Sequence, residues 1–214
     1  AAAMGSAFVR GLQGDDETKG IAATGKHFVG HGNAEGGLNM AQSVIPEREL
    51  REVHAKPFQA MISEANLMSV MCSYSSINRE PVAGSKRILT GLLRDEMGFN
   101  GIVVSDYIAI DRLVSPFCVA ENYTDAGIRA LNAGLDVEYP RPKGYTYQLE
   151  EYIKEGKLDI AILDRAVRRV LEIKFRLGLF ENPFPQMDRL NQIFGSGMGH
   201  DLSLRMAKKI ITLL

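Results

Sequence analysis

A basic pair, Lys26-His27, a phenol, Tyr74, and the carboxylates Asp106, Asp136 and Glu138 are the side chains best suited to chemistry in this sequence. Each closes a short apolar run. Asp106 is the clearest: Gly101-Ile102-Val103-Val104-Ser105-Asp106-Tyr107 reads as a β-branched strand entered through Asn100-Gly101 and ending on an acid. A carboxylate within the apolar layers of a sheet carries a large desolvation cost, so Asp106 belongs at the strand's open end. There it serves as a nucleophile or base, or caps the next helix. Lys26 at such a strand end favours an ionised carboxylate nearby, or forms a Schiff base with a carbonyl substrate. Glu138 alternates with Asp136 on one side of a strand, so both are expected to face the cleft, although strand-end acids also cap helices. His27, His31 and Glu35 have the fourfold spacing of helical metal ligands, but Gly25, Gly30, Gly32, Gly36 and Gly37 interrupt any helix there. Neither a metal nor another cofactor is expected. Cys72 and Cys118 form no metal or redox motif, and Cys72 reads as a small buried hydrophobe.

These groups need elements to carry them. Residues 1–18 read as the end of a helix and a loop, Ile21 to Phe28 as a strand, and the glycine-rich 30–37 stretch as a loop. Leu50, Val53, Phe58, Met61, Ile62 and Ala65 recur at helical spacing, with Pro57 marking a kink or restart. Leu67 to Tyr74 reads as a second strand. Ser85 is placed to cap a helix with Ile88, Leu89, Leu92 and Leu93 inward and Gly98 at its end. After the Asp106 strand come a helix from Thr124 to Ala133, stopped by Gly134, and a fourth strand, Leu135 to Glu138. Helices over 147–155 and 164–177 end at Gly156 and Gly178.

Strands alternating with helices predict a parallel sheet, and polar groups at every strand's C-terminal end suit a (β/α) barrel whose strand ends share one cleft. Four such units are half a barrel, since a complete eight-strand barrel takes about 250 residues. The expected fold is therefore α/β, the C-terminal half of a (β/α)8 barrel over 1–180. A Gly- and Pro-rich linker is expected over 181–200. Residues 201–214, with Ala207, Ile210, Ile211 and Leu214 at helical spacing, read as the first helix of a following α/β sandwich domain.

The chain has 214 residues, is 45% hydrophobic and 24% charged, and carries a net charge of -1. That balance gives no electrostatic reason to expect nucleic acid or an anionic membrane surface as partner. No apolar run approaches the roughly 20 residues of a membrane helix, and no basic region followed by an apolar core opens the sequence. The compartment stays open.

In order, Lys26-His27-Phe28-Val29-Gly30-His31-Gly32, Glu35-Gly36-Gly37, Pro46 to Glu52, Met71-Cys72-Ser73-Tyr74, Gly98 to Tyr107, Ala133-Gly134-Leu135-Asp136 and Lys174 to Phe180 resemble glycoside hydrolase family 3, the family of β-glucosidases and other exo-acting β-glycosidases. The resemblance spans nearly the whole chain. It implies a retaining mechanism with Asp106 as nucleophile, and Lys26 and His27 binding hydroxyls of the terminal sugar. Tyr74 would lie against the reacting centre, and Tyr107, where the family often has Trp, would form a side of the sugar pocket. Glu138 is carried as a further candidate substrate contact. The expected partners are a β-glucoside or related oligosaccharide, the other half of the barrel, and a C-terminal domain that usually brings the general acid/base. Leu38 stands where many members have Arg, which alters one hydroxyl contact. The competing readings are a non-catalytic sugar-binding fragment and a Schiff-base lyase using Lys26.

Overall fold

The computed structural model describes residues 1–185, 187, 190–194 and 197–212. They fall into two compact units, Ala1–Gly178 and Leu179–Leu214. The first unit is built on a parallel sheet of β1 (Thr24–Phe28), β3 (Ser69–Cys72) and β6 (Ile102–Val104), in the order β1-β3-β6. Register places Thr24 beside Ser69 and Ser69 beside Ile102, with Met71 beside Val104 one layer further along. A ribbon of β2 (Gln42–Ser43), β4 (Ser76–Ile77) and β5 (Glu80–Pro81) lies among the loops, an element that no sequence period announced. The expected fourth strand is reduced to a parallel bridge between Val104 and Val137. The peptide bonds Lys26–His27 and Phe28–Val29 are cis.

Strand alternation divides the sheet into two faces. Gly25, Val70, Cys72 and Val103 are buried on the face that packs against helices. Thr24, Lys26, Met71, Ile102 and Val104 point the other way and are exposed or half-buried. Phe28, closing β1, is fully buried and meets Phe58 edge to face with ring centroids 5.0 Å apart. Burying a side chain of this size contributes about 1.5–3 kcal/mol.

The helices follow their local signals. Helix α1 (Ala2–Gln13) ends at Gly14, and its last side chain is a structural stitch. The buried Gln13 amide donates to the carbonyls of Ala65 (3.2 Å) and Asn66 (3.0 Å), and its oxygen accepts from Ala23 N (3.3 Å) and Met68 N (3.1 Å). That tie joins α1 to the segments entering β1 and β3, and leaves no part of a buried amide unpaired. The helical stretch from α2 (Glu47–Glu49) to α3 (Lys56–Ala65) is π-wound over Leu50–Ala55, just ahead of Pro57. Pro57 has no N–H to give to the preceding turn, and the widened turn absorbs that break where a kink was expected.

Ser85 accepts from Ile88 N (3.1 Å) at the start of a second π-wound helix, Arg87–Glu96, which buries Ile88, Leu89, Leu92 and Leu93. Gly98, at φ 71°, ends it in the left-handed conformation that glycine adopts without penalty. After the short α4 (Asp111–Val114), α5 (Tyr123–Ala133) is capped by Asn122, whose side chain accepts from Asp125 N (2.9 Å). Helices α6 (Gln148–Lys154) and α7 (Ile160–Arg176) follow, the latter capped by Asp159 and starting one turn earlier than its apolar period. Glu17 and Arg176 pair at 2.5 Å across a sequence separation of 159, which clasps the two ends of this unit together.

In the second unit, α8 (Leu190–Phe194) lies within the stretch expected as linker, and α9 (Met198–Ile210) starts at its end and runs over 201–210 of the expected helix. Positions 186, 188, 189, 195 and 196 of the expected linker, and Leu213 and Leu214 of the expected helix, lie outside the described residues. Among the described residues no helix is long and apolar enough to cross a membrane.

Candidate functional site

The open face of the parallel sheet borders a cavity of about 570 Å³ lined by Thr24, Lys26, Ser69, Met71, Ile102 and Val104, with Asp106, Tyr107 and Tyr139 also on its wall. The strand layers explain the lining: residues two apart share a face, so Thr24 and Lys26, and Ile102 and Val104, project into the same space. Asp106 follows β6 and is only 7% exposed. One carboxylate oxygen accepts from Tyr107 N at 2.7 Å, and the other lies 3.4 Å from Nε2 of His27.

Tyr74, just beyond the end of β3, brings its hydroxyl to the same carboxylate. Its pKa is pushed up to about 12, first by burial and then by the hydrogen bond to Asp106. His27 is held below its usual range, chiefly by burial; Asp106 opposes this, and the neighbouring His31 and Lys26 reinforce it. A His27 kept neutral has one ring nitrogen to donate and one to accept, the pairing a sugar hydroxyl requires. Cys72, beneath this cluster, is fully buried and its thiol is pushed up to about 12 by desolvation, which makes it inert.

Lys26, Asp106 and Tyr107 thus share one cavity wall, and His27 and Tyr74 reach the same Asp106 carboxylate. Glu138 is placed differently. One of its oxygens accepts from Lys143 N (3.0 Å), Gly144 N (3.0 Å) and Tyr145 N (2.7 Å), so the carboxylate folds the loop after the sheet; its second oxygen has a single long contact, 3.2 Å from Gly144 N.

Asp136 corrects the expectation that it faces the cleft alongside Glu138. Its side chain is 1% exposed and bonded to Arg94 (2.7 Å), Arg169 (2.9 Å) and Val103 N (2.8 Å) on the helix side of the sheet. The regular strand that would have kept the two acids on one face is absent there, so alternation does not hold. Tyr139 escaped the sequence reading altogether. The available signal was its place directly after Glu138 at a strand end, one residue before a proline. Leu38 is exposed at the surface. Among the described residues, no group of three or more His, Cys, Asp or Glu side chains is arranged to hold a metal ion.

A strand-end carboxylate with an imidazole nitrogen 3.4 Å away and a phenol turned to it, beside an ammonium on the open face of a parallel sheet, is the arrangement described. Residues 1–173 match the model of the glycosyl hydrolase family 3 N terminal domain. The chain belongs to this family. Its α/β fold with a parallel sheet is that of the family 3 barrel domain. A β-xylosidase of Formosa agariphila is 35% identical over 99% of the chain and 31% of its own length. The lysosomal β-glucosidase of Dictyostelium discoideum is 31% identical over 100% of the chain and 27% of its own length. Among solved structures, the β-glucosidase of Listeria innocua superposes with a TM-score of 0.83 at 32% identity, covering 89% of this chain and 27% of that one. The same enzyme has been solved with glucose, at a TM-score of 0.82 and 33% identity over 88% of this chain. The chain therefore spans between a quarter and a third of the length of these family 3 relatives, which hydrolyse β-glycosides by name.

Proposed function

We propose that this chain carries the nucleophile side of a retaining β-glycosidase site acting on terminal β-glucosides or related sugars. The observation that carries this reading is the convergence of His27, Tyr74 and the Tyr107 amide on the single carboxylate of Asp106. A carboxylate nucleophile must be ionised, in line with the anomeric carbon and shielded from bulk water. Asp106 is largely buried, and its two oxygens are oriented by different partners. Attack by one oxygen forms the glycosyl-enzyme ester as the leaving oxygen takes a proton; water then cleaves the ester and restores the carboxylate. The Tyr74 hydroxyl, aimed at Asp106, steadies the carboxylate and follows charge as it moves onto the ester. Lys26 and His27 bind hydroxyls of the sugar, Tyr107 walls its ring, and Glu138 offers its less occupied oxygen from the loop.

The first protonation requires a second carboxyl group about 5–5.5 Å from the nucleophile. Among the described residues, Asp106 is the one carboxylate on the cavity wall, and Asp136 is committed to two arginines. The general acid is accordingly assigned to a part of a longer polypeptide, together with the remaining barrel units. The proposed organisation is a half-barrel over 1–180, a linker over 181–200 and the opening helix of an α/β sandwich over 201–214. On its own the chain is expected to be inactive on aryl β-glucosides, since general acid catalysis alone contributes about 10²–10⁴-fold. It is also expected to self-associate through its open sheet edges.

The test is labelling of the polypeptide containing this chain with a 2-fluoro-glycoside inactivator, followed by peptide mapping. The expected adduct is on Asp106. An adduct on another carboxylate, with Asp106→Ala turning over normally, would end the assignment. Lys26→Ala should weaken both hydrolysis and binding of a sugar-like inhibitor; a changed pH profile with unchanged binding would remove Lys26 from recognition. Borohydride trapping with a carbonyl substrate separates off the Schiff-base reading.

A further inference from the structure

Two imidazoles stand at the end of β1. His27 faces the Asp106 carboxylate, and His31 packs on His27 with ring centroids 4.5 Å apart and planes inclined by 36°. That separation is contact between ring faces. His31, whose metal spacing the surrounding glycines break, has no role in the proposed chemistry.

The link between the two rings is tied down at every carbonyl. Phe28 O accepts from Ser73 N at 2.6 Å, Val29 O from the Ser73 hydroxyl at 3.1 Å, and Gly30 O from the Ser43 hydroxyl at 3.1 Å. Both serines are buried, so these bonds form where water does not compete. Gly30 then turns at φ 77°, and a Cβ there would come within 2.6 Å of Ile77 and 2.9 Å of Ile45. Only glycine fits this turn, which brings the chain back over the end of β1 and lays His31 on His27. Nδ1 of His31 is buried and meets no hydrogen-bonding group among the described residues. A hydrogen there would be a buried donor with nothing to receive it, so the proton of this ring sits on Nε2. What His31 gives its neighbour is a ring face.

His27 needs that support. Its Nε2 lies 3.4 Å from Asp106, longer than an ordinary N–H···O bond, so the carboxylate alone does not fix the ring. Lys26, Asp106 and His31 are the charged or titratable groups acting on it. An imidazole with an unsupported face turns over about its Cβ–Cγ bond and exchanges its two nitrogens. We propose that His31 is the positioning residue for His27: its ring face holds the His27 plane with Nε2 turned to Asp106, and so fixes which nitrogen of His27 donates. The effect on sugar recognition rests on the glycosidase reading, and the effect on the His27 ring does not.

The test begins on the full chain without any sugar, at a pH above the His27 titration. Long-range proton–nitrogen correlation spectra should show His27 as a single Nε2–H tautomer. That tautomer should be kept in His31→Phe and mixed with the Nδ1–H form in His31→Ala and His31→Gln, with far-ultraviolet circular dichroism unchanged in all three. Phe retains the ring face, and Gln fills the space without one. Turnover of an aryl β-glucoside is then measured on the longer polypeptide that contains this chain. His31→Ala should raise KM about threefold to tenfold and leave kcat within about twofold, the signature of lost recognition, while His31→Phe stays near the parent. In a His27→Ala background, His31→Ala should add nothing. An unchanged tautomer in both His31→Ala and His31→Gln, or a His31→Ala loss that persists in full without His27, would overturn the proposal. A label mapped away from Asp106 would end the glycosidase reading, and the tautomer pattern would still decide whether His31 positions His27.

Discussion

Replacing Asp136 with alanine should cost this chain most of its stability, although Asp136 never touches the cavity. Its carboxylate takes Arg94 and the Val103 amide on one oxygen, at 2.7 and 2.8 Å, and Arg169 on the other at 2.9 Å. The Arg94 side chain is 7% exposed, and burial lowers its pKa to about 10 even with Asp136 in place. Removing one partner of a buried pair costs about 3–5 kcal/mol because the remaining charge is left uncompensated. Orphaning the Val103 N–H adds about 1–3 kcal/mol. Arg169, 19% exposed, can turn partly to water and recover some of this. The expected total is about 4–6 kcal/mol, against a whole-domain stability of about 5–15 kcal/mol. Asp136→Asn keeps one acceptor but faces a guanidinium with its NH₂, and should cost about 2–4 kcal/mol. Urea unfolding followed by far-ultraviolet circular dichroism measures both, with Glu52→Ala as control. That residue pairs with Arg48 at the surface and is worth about 0–1 kcal/mol. If Asp136→Ala shifted the urea midpoint no more than the control, the buried network would not be holding the sheet. Val103 lies three residues before Asp106, so the same loss should loosen the nucleophile's strand.

Four further outcomes are expected. The His27 imidazole should titrate below 6.5 by NMR; Lys26→Met should move the midpoint up and Asp106→Asn further down, and no movement in either would refute the electrostatic assignment. Because the folded-state value is depressed, the stability linked to His27 is present above about 6.5 and is lost as pH falls through the folded midpoint. In an ultraviolet titration, Asp106→Asn should lower the Tyr74 midpoint from about 12; an unchanged midpoint would mean that the carboxylate and the phenol are not bonded. Glu17 is held below its usual 4.5 by Arg176, so its contribution is full above that value and lost as pH falls through the depressed one. Glu17→Gln should therefore lower the thermal midpoint at neutral pH and flatten its decline in acid. A thiol reagent should modify the exposed Cys118 rapidly and the buried Cys72 only on unfolding; two fast thiols would contradict the packing beneath β3.

What the sequence determined by itself was local. The β-branched run Ile102–Val104 is a strand, Ser85 caps the helix before it, and Gly98 and Gly134 end helices with positive φ. The inward set Ile88, Leu89, Leu92 and Leu93 is buried as its period required. These features depend on neighbours a few residues apart, which periodicity and capping chemistry report directly. The motifs also placed Lys26, His27, Tyr74 and Asp106 at strand ends, and a parallel sheet gathers strand ends on one side. Tertiary structure decided the rest. Asp136 turns to the helix layer because its partners, Arg94 and Arg169, lie 42 and 33 residues away, and the strand whose alternation would have aimed it at the cleft shrinks to the Val104–Val137 bridge. Gln13 looked like an unremarkable helix end, yet its four contacts reach Ala23, Ala65, Asn66 and Met68. Tyr139 became part of the site only when Ser105 drew it against Tyr107. A buried charge or amide is satisfied by whichever partner the packed chain delivers, and a one-dimensional pattern does not contain that distance.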